Sequence, residues 1–418
     1  MTTEPLANME ELDREMRRRD VDGLVVHMRP NVYYLSGYAP RTSVSIPEND
    51  GYAAMVIARD AIDQPILVVP DHDLGYFLQA PGHVEDRRPY ASLMVTLDHS
   101  ADDAAFARTV PPEARGTTWG INARKHYAED LRSACVAAMR DLGLDGAARI
   151  GFDDLRFVNL FNDTGVLDGT EVVDGYGLLR AVRQVKTPAE LDLLVRASRV
   201  NEAGIQHMVD RWEPGATWRE LELEYLLHVT RLGGFVHDPG PVVMSNGPDD
   251  DRTFYGLAHA EPFVLEPGMH VAIDCHGTLS NYCWDGGKTW VVGGDSVDDV
   301  ARRNGRAAIT AMDAIQSRMR AGATVSELTA VGVDALRGAG ITHADETLFF
   351  FHGLGLDHID REVTQPSRHD WALREGSVVA AHVYTPGDRR HRFYLEDCAL
   401  VGADGCTSLT DWTMEPLG

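Results

Sequence analysis

Acidic and imidazole side chains stand inside runs that are otherwise strongly apolar, and that placement restricts what this chain can fold into. Asp274 follows Val271, Ala272 and Ile273. Asp285 lies eleven positions on, far enough for a hairpin to return it beside Asp274. His352 follows Phe349, Phe350 and Phe351, His382 sits between Ala381 and Val383, and Glu396 precedes Ala399, Leu400 and Val401. A charge in an apolar strand is costly unless it is paired or coordinated. Any one of these residues alone fits a cap, a turn or an edge strand. Five in one region share an explanation in a divalent cation, held by oxygen and imidazole ligands from neighbouring strands.

The rest of the chain sets the frame. At 418 residues it is long enough for two domains. The net charge of -25 argues against a nucleic-acid partner and against docking on anionic membranes. Five cysteines without a CxxC pair read as reduced thiols. No apolar leader and no run long enough for a membrane span is evident, so a cytoplasmic location is expected.

Residues 6–19 read as an amphipathic helix, and 21–27, 51–59, 64–70, 119–123 and 149–154 read as strands of an alternating α/β unit with a helix at 128–142. Residues 29–40 read as turn-rich, and 177–186 as a strand or loop. A long helix opens at Thr187-Pro188, a good cap with proline in the first turn. The expected division is 1–174 and 175–418. The second part has helices at 216–234, 297–319 and 325–338, and strands at 270–277, 288–294, 377–386 and 393–402. It is α+β, helices packed on a curved antiparallel sheet.

These residues resemble metallopeptidase family M24, which includes aminopeptidase P, prolidase, creatinase and methionine aminopeptidase. Asp274-Cys275-His276-Gly277 and Asp285-Gly286-Gly287-Lys288-Thr289-Trp290 stand where that family has its two aspartate motifs. Phe351-His352-Gly353-Leu354-Gly355 is similar to its metal histidine, and Leu395-Glu396-Asp397 to its final glutamate. Arg180 to Glu190 resembles the opening of its catalytic domain, and Pro30 to Tyr38 a run of its creatinase-type N-terminal domain. The resemblance implies a C-terminal pita-bread domain with a smaller α/β N-terminal domain. It also implies a metal centre of Asp274, Asp285, His352, His382 and Glu396 holding one or two divalent ions, manganese first, with iron, cobalt or zinc as alternatives. A homodimer is expected from the same likeness.

The chain also departs from the peptidases. His382 stands where they have a glutamate. Leu348 replaces a histidine four residues before His352. His358 lies six residues after His352, where they have a histidine at seven. Their histidine upstream of the first aspartate has no clean match, with Tyr255 and His259 both open as replacements. These differences resemble the non-peptidase members, among them a 5-nitroanthranilate aminohydrolase and a dimethylsulfoniopropionate lyase. The expected activity is hydrolysis of a C–N bond in a small, anionic or aromatic molecule by metal-activated water. Xaa-Pro peptide cleavage and a lyase reaction are the alternatives.

Further roles are expectations of the same kind. Glu396 or Asp274 takes a proton, and His358 or His276 protonates the leaving nitrogen, although His276 fits a solvent-facing hairpin better. Lys288 pairs a substrate carboxylate or is a sheet-surface cation. Arg389, with Arg390 and Arg392, binds an anion or forms a solvated turn. Trp284, Phe350, Phe351 and Tyr384 line a ring pocket or fill the strand core.

Overall fold

The structure is a computed structural model, and it describes residues 6–46, 49–78, 82–94, 97–236, 241–246, 256–257, 264–294, 299–361, 370–387 and 391–417. Two compact units divide between Arg183 and Gln184. This is later than the expected break at 174/175. The intervening helix Gly175–Gln184 continues directly from the last strand of the first unit and buries Leu178, Leu179 and Val182. Arg183 donates to Asn31 Oδ1 at 2.7 Å within that unit.

The first unit holds a six-stranded sheet. Its strands are β1 Gly23–Val26, β2 Ala54–Ala58, β3 Ile66–Pro70, β4 Asp86–Tyr90, β5 Arg149–Phe152 and β6 Glu171–Asp174, in the order β4-β3-β2-β1-β5-β6. β1, β2 and β3 are buried at every position, as their unbroken apolar runs require. Three expectations fail here. Residues 177–184, expected as strand or loop, belong to the helix Gly175–Gln184, whose apolar Leu178, Leu179 and Val182 recur on one helical face. Residues 119–123 lie in the helix Thr118–Lys125, started by the Thr117 side chain accepting from Gly120 N. Residues 29–36 are a helix with proline in its first turn, ended by Gly37 at φ 70°.

The second unit is built on an eight-stranded sheet. Its strands are β7 Pro241–Asn246, β8 Gly256–Leu257, β9 His270–Cys275, β12 Gly287–Val291, β13 Leu348–Gly353, β14 Val378–Thr385, β15 Phe393–Val401 and β16 Cys406–Ser408. Between β9 and β12 comes the hairpin of β10 Gly277–Leu279 and β11 Tyr282–Trp284. The order is β13-β14-β15-β12-β9-β7-β8, with β16 on β15. Four helices cover one face of this sheet: Pro188–Asp210 and Trp218–Arg231 over one half, Asp299–Gln316 and Val325–Gly338 over the other. Three of them start at capping boxes, Thr187/Glu190, Thr217/Glu220 and Thr324/Glu327.

Alternation along the strands decides which side chains meet those helices. Ile273, Phe351, Ala381, Val383 and Leu395 belong to the helix-covered core. Their chain neighbours Asp274, His352, His382 and Glu396 point to the other face, because successive strand side chains point to opposite sides. Among the described residues no helix is long and apolar enough to cross a membrane.

Candidate metal centre

The register places the donors. Asp274 on β9 pairs across from Gly287 on β12, so the chain segment carrying Asp285 returns to Asp274. The return is the β10–β11 hairpin, whose turn residues Ser280 and Asn281 both have positive φ, 51° and 67°. Gly286 follows at φ 138°, and a Cβ on Gly287 would stand 1.7 Å from Ile273 O. On the other half of the sheet His382 lies directly opposite Glu396, with Phe350 opposite His382.

The side chains converge. His352 Nε2 is 3.0 Å from Asp285 Oδ2, and His382 Nε2 is 3.2 Å from Glu396 Oε1. Among the described residues two groups have donor atoms close enough to share one ion: Asp285, His352, His382 and Glu396, and His276, Asp285 and His358. Asp274 joins through His276, whose Nε2 is 3.0 Å from Asp274 Oδ1 and 3.3 Å from Asp285 Oδ1. His358 Nε2 is 3.3 Å from Asp285 Oδ2. Its offset in sequence therefore does not carry it away from the centre.

The imidazoles are oriented from behind. His352 Nδ1 is 3.0 Å from Gly353 O and His382 Nδ1 is 3.1 Å from Phe350 O. Donation to those carbonyls leaves each Nε2 as a lone-pair donor toward the centre. Tyr394, which the sequence reading missed, donates its hydroxyl to Glu396 Oε2 at 2.7 Å. The available signal was its position two residues before Glu396, on the same strand face.

Crowding shapes the charges. Burial, then the nearby Asp285 and Asp274, push the Glu396 carboxyl well above its usual range. Burial alone would raise Asp285 as well, but His276 and His352 hold it well below. His276 is lowered by burial, yet the two aspartates beside it lift it to about 10. Burial, with His352 adding to it, drives His382 down to about 4. The centre thus keeps His382 neutral, as a metal ligand must be.

Other expected site residues fall elsewhere. Lys288 faces the helix side of the sheet, where its Nζ donates to Thr413 O at 2.6 Å and lies over the Trp412 ring. Trp284 is fully buried in the helix-covered core and donates to Tyr225 OH at 3.0 Å. Phe351 is in that core too. Phe350 and Tyr384 do share the donor face: Phe350 contacts the rings of His352 and His382, and Tyr384 packs on Tyr394. Arg392 is buried. Arg389, Arg390, Tyr255 and His259 lie outside the described residues.

A helix-backed antiparallel sheet with a carboxylate–histidine cluster on its open face, preceded by a separate α/β unit, defines a two-domain pita-bread protein with a metal-binding type of centre. The profile of metallopeptidase family M24 matches residues 192–403, just over half of the sequence, and the chain belongs to that family. The creatinase/prolidase N-terminal domain matches residues 9–185. No curated protein matches by sequence. Solved structures with the same fold include the prolidase from Pyrococcus horikoshii OT3 (17% identity, TM-score 0.65, covering 97% of this chain and 98% of that one). The dipeptidase PepE from Mycobacterium ulcerans is another (20%, 0.67, 98% and 96%). A third is the X-Pro aminopeptidase from Thermotoga maritima MSB8 (15%, 0.65, 98% and 99%).

Proposed function

We propose that this chain is a metal-dependent hydrolase that binds its ion through Asp274, Asp285, His352, His382 and Glu396 and cleaves a C–N bond. One observation carries the reading. Asp274 Oδ1, Asp285 Oδ2, His352 Nε2 and Glu396 Oε1 are all buried, all at this one place, and none has a hydrogen-bond partner. Leaving a buried polar atom unpaired costs about 1–3 kcal/mol, more for a charged group, so these atoms point to bound cation charge at this place, and Asp285, His352, His382 and Glu396 are close enough to share one ion. Mixed carboxylate and imidazole donors suit manganese, iron, cobalt or zinc, and manganese is the first choice.

A bound divalent ion supplies acidified water near neutral pH. The chain's own groups do the rest. Carbonyls behind His352 and His382 fix the imidazoles, and Tyr394 occupies Glu396 Oε2 so that Oε1 alone faces the centre. Glu396, or Asp274, is the carboxylate placed to take a proton. Leu348 and Phe350, 51% and 44% exposed on the same face, offer an apolar wall beside the donors.

Two substrate classes rest on different observations. Likeness to prolidases and an X-Pro aminopeptidase, with His358 standing inside the centre, favours a peptide bond next to proline, and this is the better supported. His382 in place of a carboxylate and the apolar Leu348 favour a small amide or an electron-poor aromatic amine such as 5-nitroanthranilate. A cytoplasmic homodimer acting on a small molecule completes the proposal.

The test is a panel of Xaa-Pro dipeptides, small amides and aryl amines with added Mn(II) in isotopically labelled water. Labelled product on proline dipeptides supports the first class, and labelled product on the others the second. Product free of label indicates an eliminating lyase. No turnover, together with no bound metal, overturns the reading.

A further inference from the structure

Asp285 stands in neither of the strands that flank it: β11 ends at Trp284 and β12 begins at Gly287. Its position therefore has to be set from outside the ladder. We propose that Asn201 and Tyr225, on the helices Pro188–Asp210 and Trp218–Arg231 behind this half of the sheet, are positioning residues that clamp the backbone on both sides of Asp285. The inference rests on the metal-centre reading above and adds what holds that ligand in place.

The clamp is a continuous run of hydrogen bonds. Trp284 Nε1 donates to Tyr225 OH at 3.0 Å, Tyr225 OH donates to Asn201 Oδ1 at 2.8 Å, and Asn201 Nδ2 donates to Gly286 O at 2.9 Å. Trp284 and Gly286 are the chain neighbours of Asp285, so one network grips the residue before it and the residue after it. Gly286 N in turn donates to Asp285 Oδ1 at 3.0 Å. Each direction is forced. An indole N–H only donates and a backbone carbonyl only accepts, so the amide nitrogen of Asn201 faces Gly286 and the one tyrosine proton goes to Oδ1. Gly286 has φ 138°, a conformation open to glycine, and the Asn201 bond removes the freedom that a glycine leaves at this point.

Stability does not explain the choice of residues. Asn201 lies in the middle of its helix, where asparagine is a poor helix former, among Ala197, Val200 and Ile205 of the apolar core. It is 1% exposed, and Tyr225 and Trp284 are fully enclosed. A leucine with a phenylalanine would fill similar volume, and removing both partners of a buried hydrogen bond together costs little. In that double change Gly286 O keeps another donor, Cys275 N at 3.3 Å. The packing instead makes room for the polar pair. A Cβ on Gly204, one turn on from Asn201, would stand 2.7 Å from Tyr225 Cε2, so the glycine lets the two helices close until the hydroxyl reaches the amide. The neighbouring imidazole has a separate anchor, since His358 rides on the loop held by the buried Lys186–Asp360 pair at 3.6 Å. Through Asn201 and Tyr225 the helix side of the sheet sets where the Asp285 carboxylate on the open face points.

Calorimetric titration with Mn(II) and the electron paramagnetic resonance spectrum of the bound ion read the ligand, and melting in chelator reads the fold. Asn201→Leu should weaken Mn(II) binding about 10- to 100-fold and alter the spectrum of the ion that still binds. Tyr225→Phe leaves the bond to Gly286 in place and should weaken it less. Asn201→Leu with Tyr225→Phe should bind as weakly as Asn201→Leu alone while melting in chelator close to the unaltered protein. Ser198→Ala, on the same helix and bonded within it to Leu194 O at 3.1 Å, should leave affinity and spectrum unchanged. Unchanged affinity and spectrum in Asn201→Leu overturn the inference and leave the metal-centre reading standing. A loss of affinity in the double variant that comes with an equally large fall of its melting temperature in chelator makes the pair structural and overturns it too. No Mn(II) binding by the unaltered protein overturns both readings. If Asn201→Leu does not fold, Tyr225→Phe decides by the same measurements, unchanged affinity and spectrum again counting against the clamp.

Discussion

Each unit of the molecule buries a histidine–aspartate contact of similar length, with different consequences. In the first unit His27 Nδ1 lies 3.2 Å from Asp153 Oδ1. Asp153 Oδ1 also accepts from His27 N at 3.0 Å, and Oδ2 accepts from Met28 N at 2.9 Å and Asn31 Nδ2 at 3.0 Å. Every accepting position is used, and Asn31 passes the network on to Arg183. In the second unit His352 Nε2 lies 3.0 Å from Asp285 Oδ2, an oxygen with no hydrogen bond. The first pair is a closed knot that ties a strand to a helix, while the second leaves an oxygen free for the proposed cation. Contact length does not separate them; the satisfaction of the remaining lone pairs does.

Substitution at the two aspartates tests that contrast most strongly. Asp285→Asn should abolish metal binding and lower turnover by more than the roughly 100-fold that loss of an outer partner costs a metal site. Its melting temperature in chelator should change little, since losing the contacts with His276 and His352 is offset by relief of the crowding that pushes Glu396 up. A marked drop in chelator would make Asp285 a structural residue like Asp153. Asp153→Ala should do the opposite. It strands several buried donors and should cost about 3–5 kcal/mol in urea unfolding, with the ion count unchanged.

Glu190 gives an intermediate case. Its carboxylate accepts from Tyr282 OH at 3.1 Å and Thr187 N at 2.9 Å, yet burial raises it from 4.5 to about 7. The folded protein therefore holds this proton more tightly than the unfolded chain does. That contribution, about 3 kcal/mol, is complete below pH 4.5 and is lost as pH rises through about 7. Glu190→Gln should flatten the stability–pH curve across that window, as read by denaturant titrations at several pH values. The smallest effect is expected at Lys288, whose ammonium is on the helix side of the sheet. Lys288→Met should change kcat/KM by less than about two-fold and cost about 1 kcal/mol for the lost bond to Thr413 O. A large rise in KM alone would return it to the substrate site.

Much of the second sheet was readable because its strands are continuous apolar runs and its helices begin at threonine caps. The errors have particular causes. Residues 118–125 carry Trp119 and Ile121, which suit a strand, but the Thr117 cap starts a helix, and Trp119 packs against Phe77 from a distant segment. Trp284 and Phe351 each adjoin a donor, and because strand neighbours face opposite ways they take the core-filling alternative rather than the ring pocket. That parity was available in the sequence and correctly favours Phe350, Tyr384 and Tyr394. It was not available for Lys288, because Gly286 at φ 138° interrupts the alternation between Asp285 and β12.

The sequence by itself determined which donors exist: carboxylates and imidazoles in apolar strands have few stable partners other than an ion or one another. Tertiary structure alone decided which of them meet. His276 and His358 are 82 positions apart, and their rings come within 4.4 Å only because the β10–β11 hairpin and the Lys186–Asp360 loop turn them onto Asp285. Loop paths of that kind depend on non-local contacts, so a spacing of six residues where relatives have seven says little about where an imidazole ends.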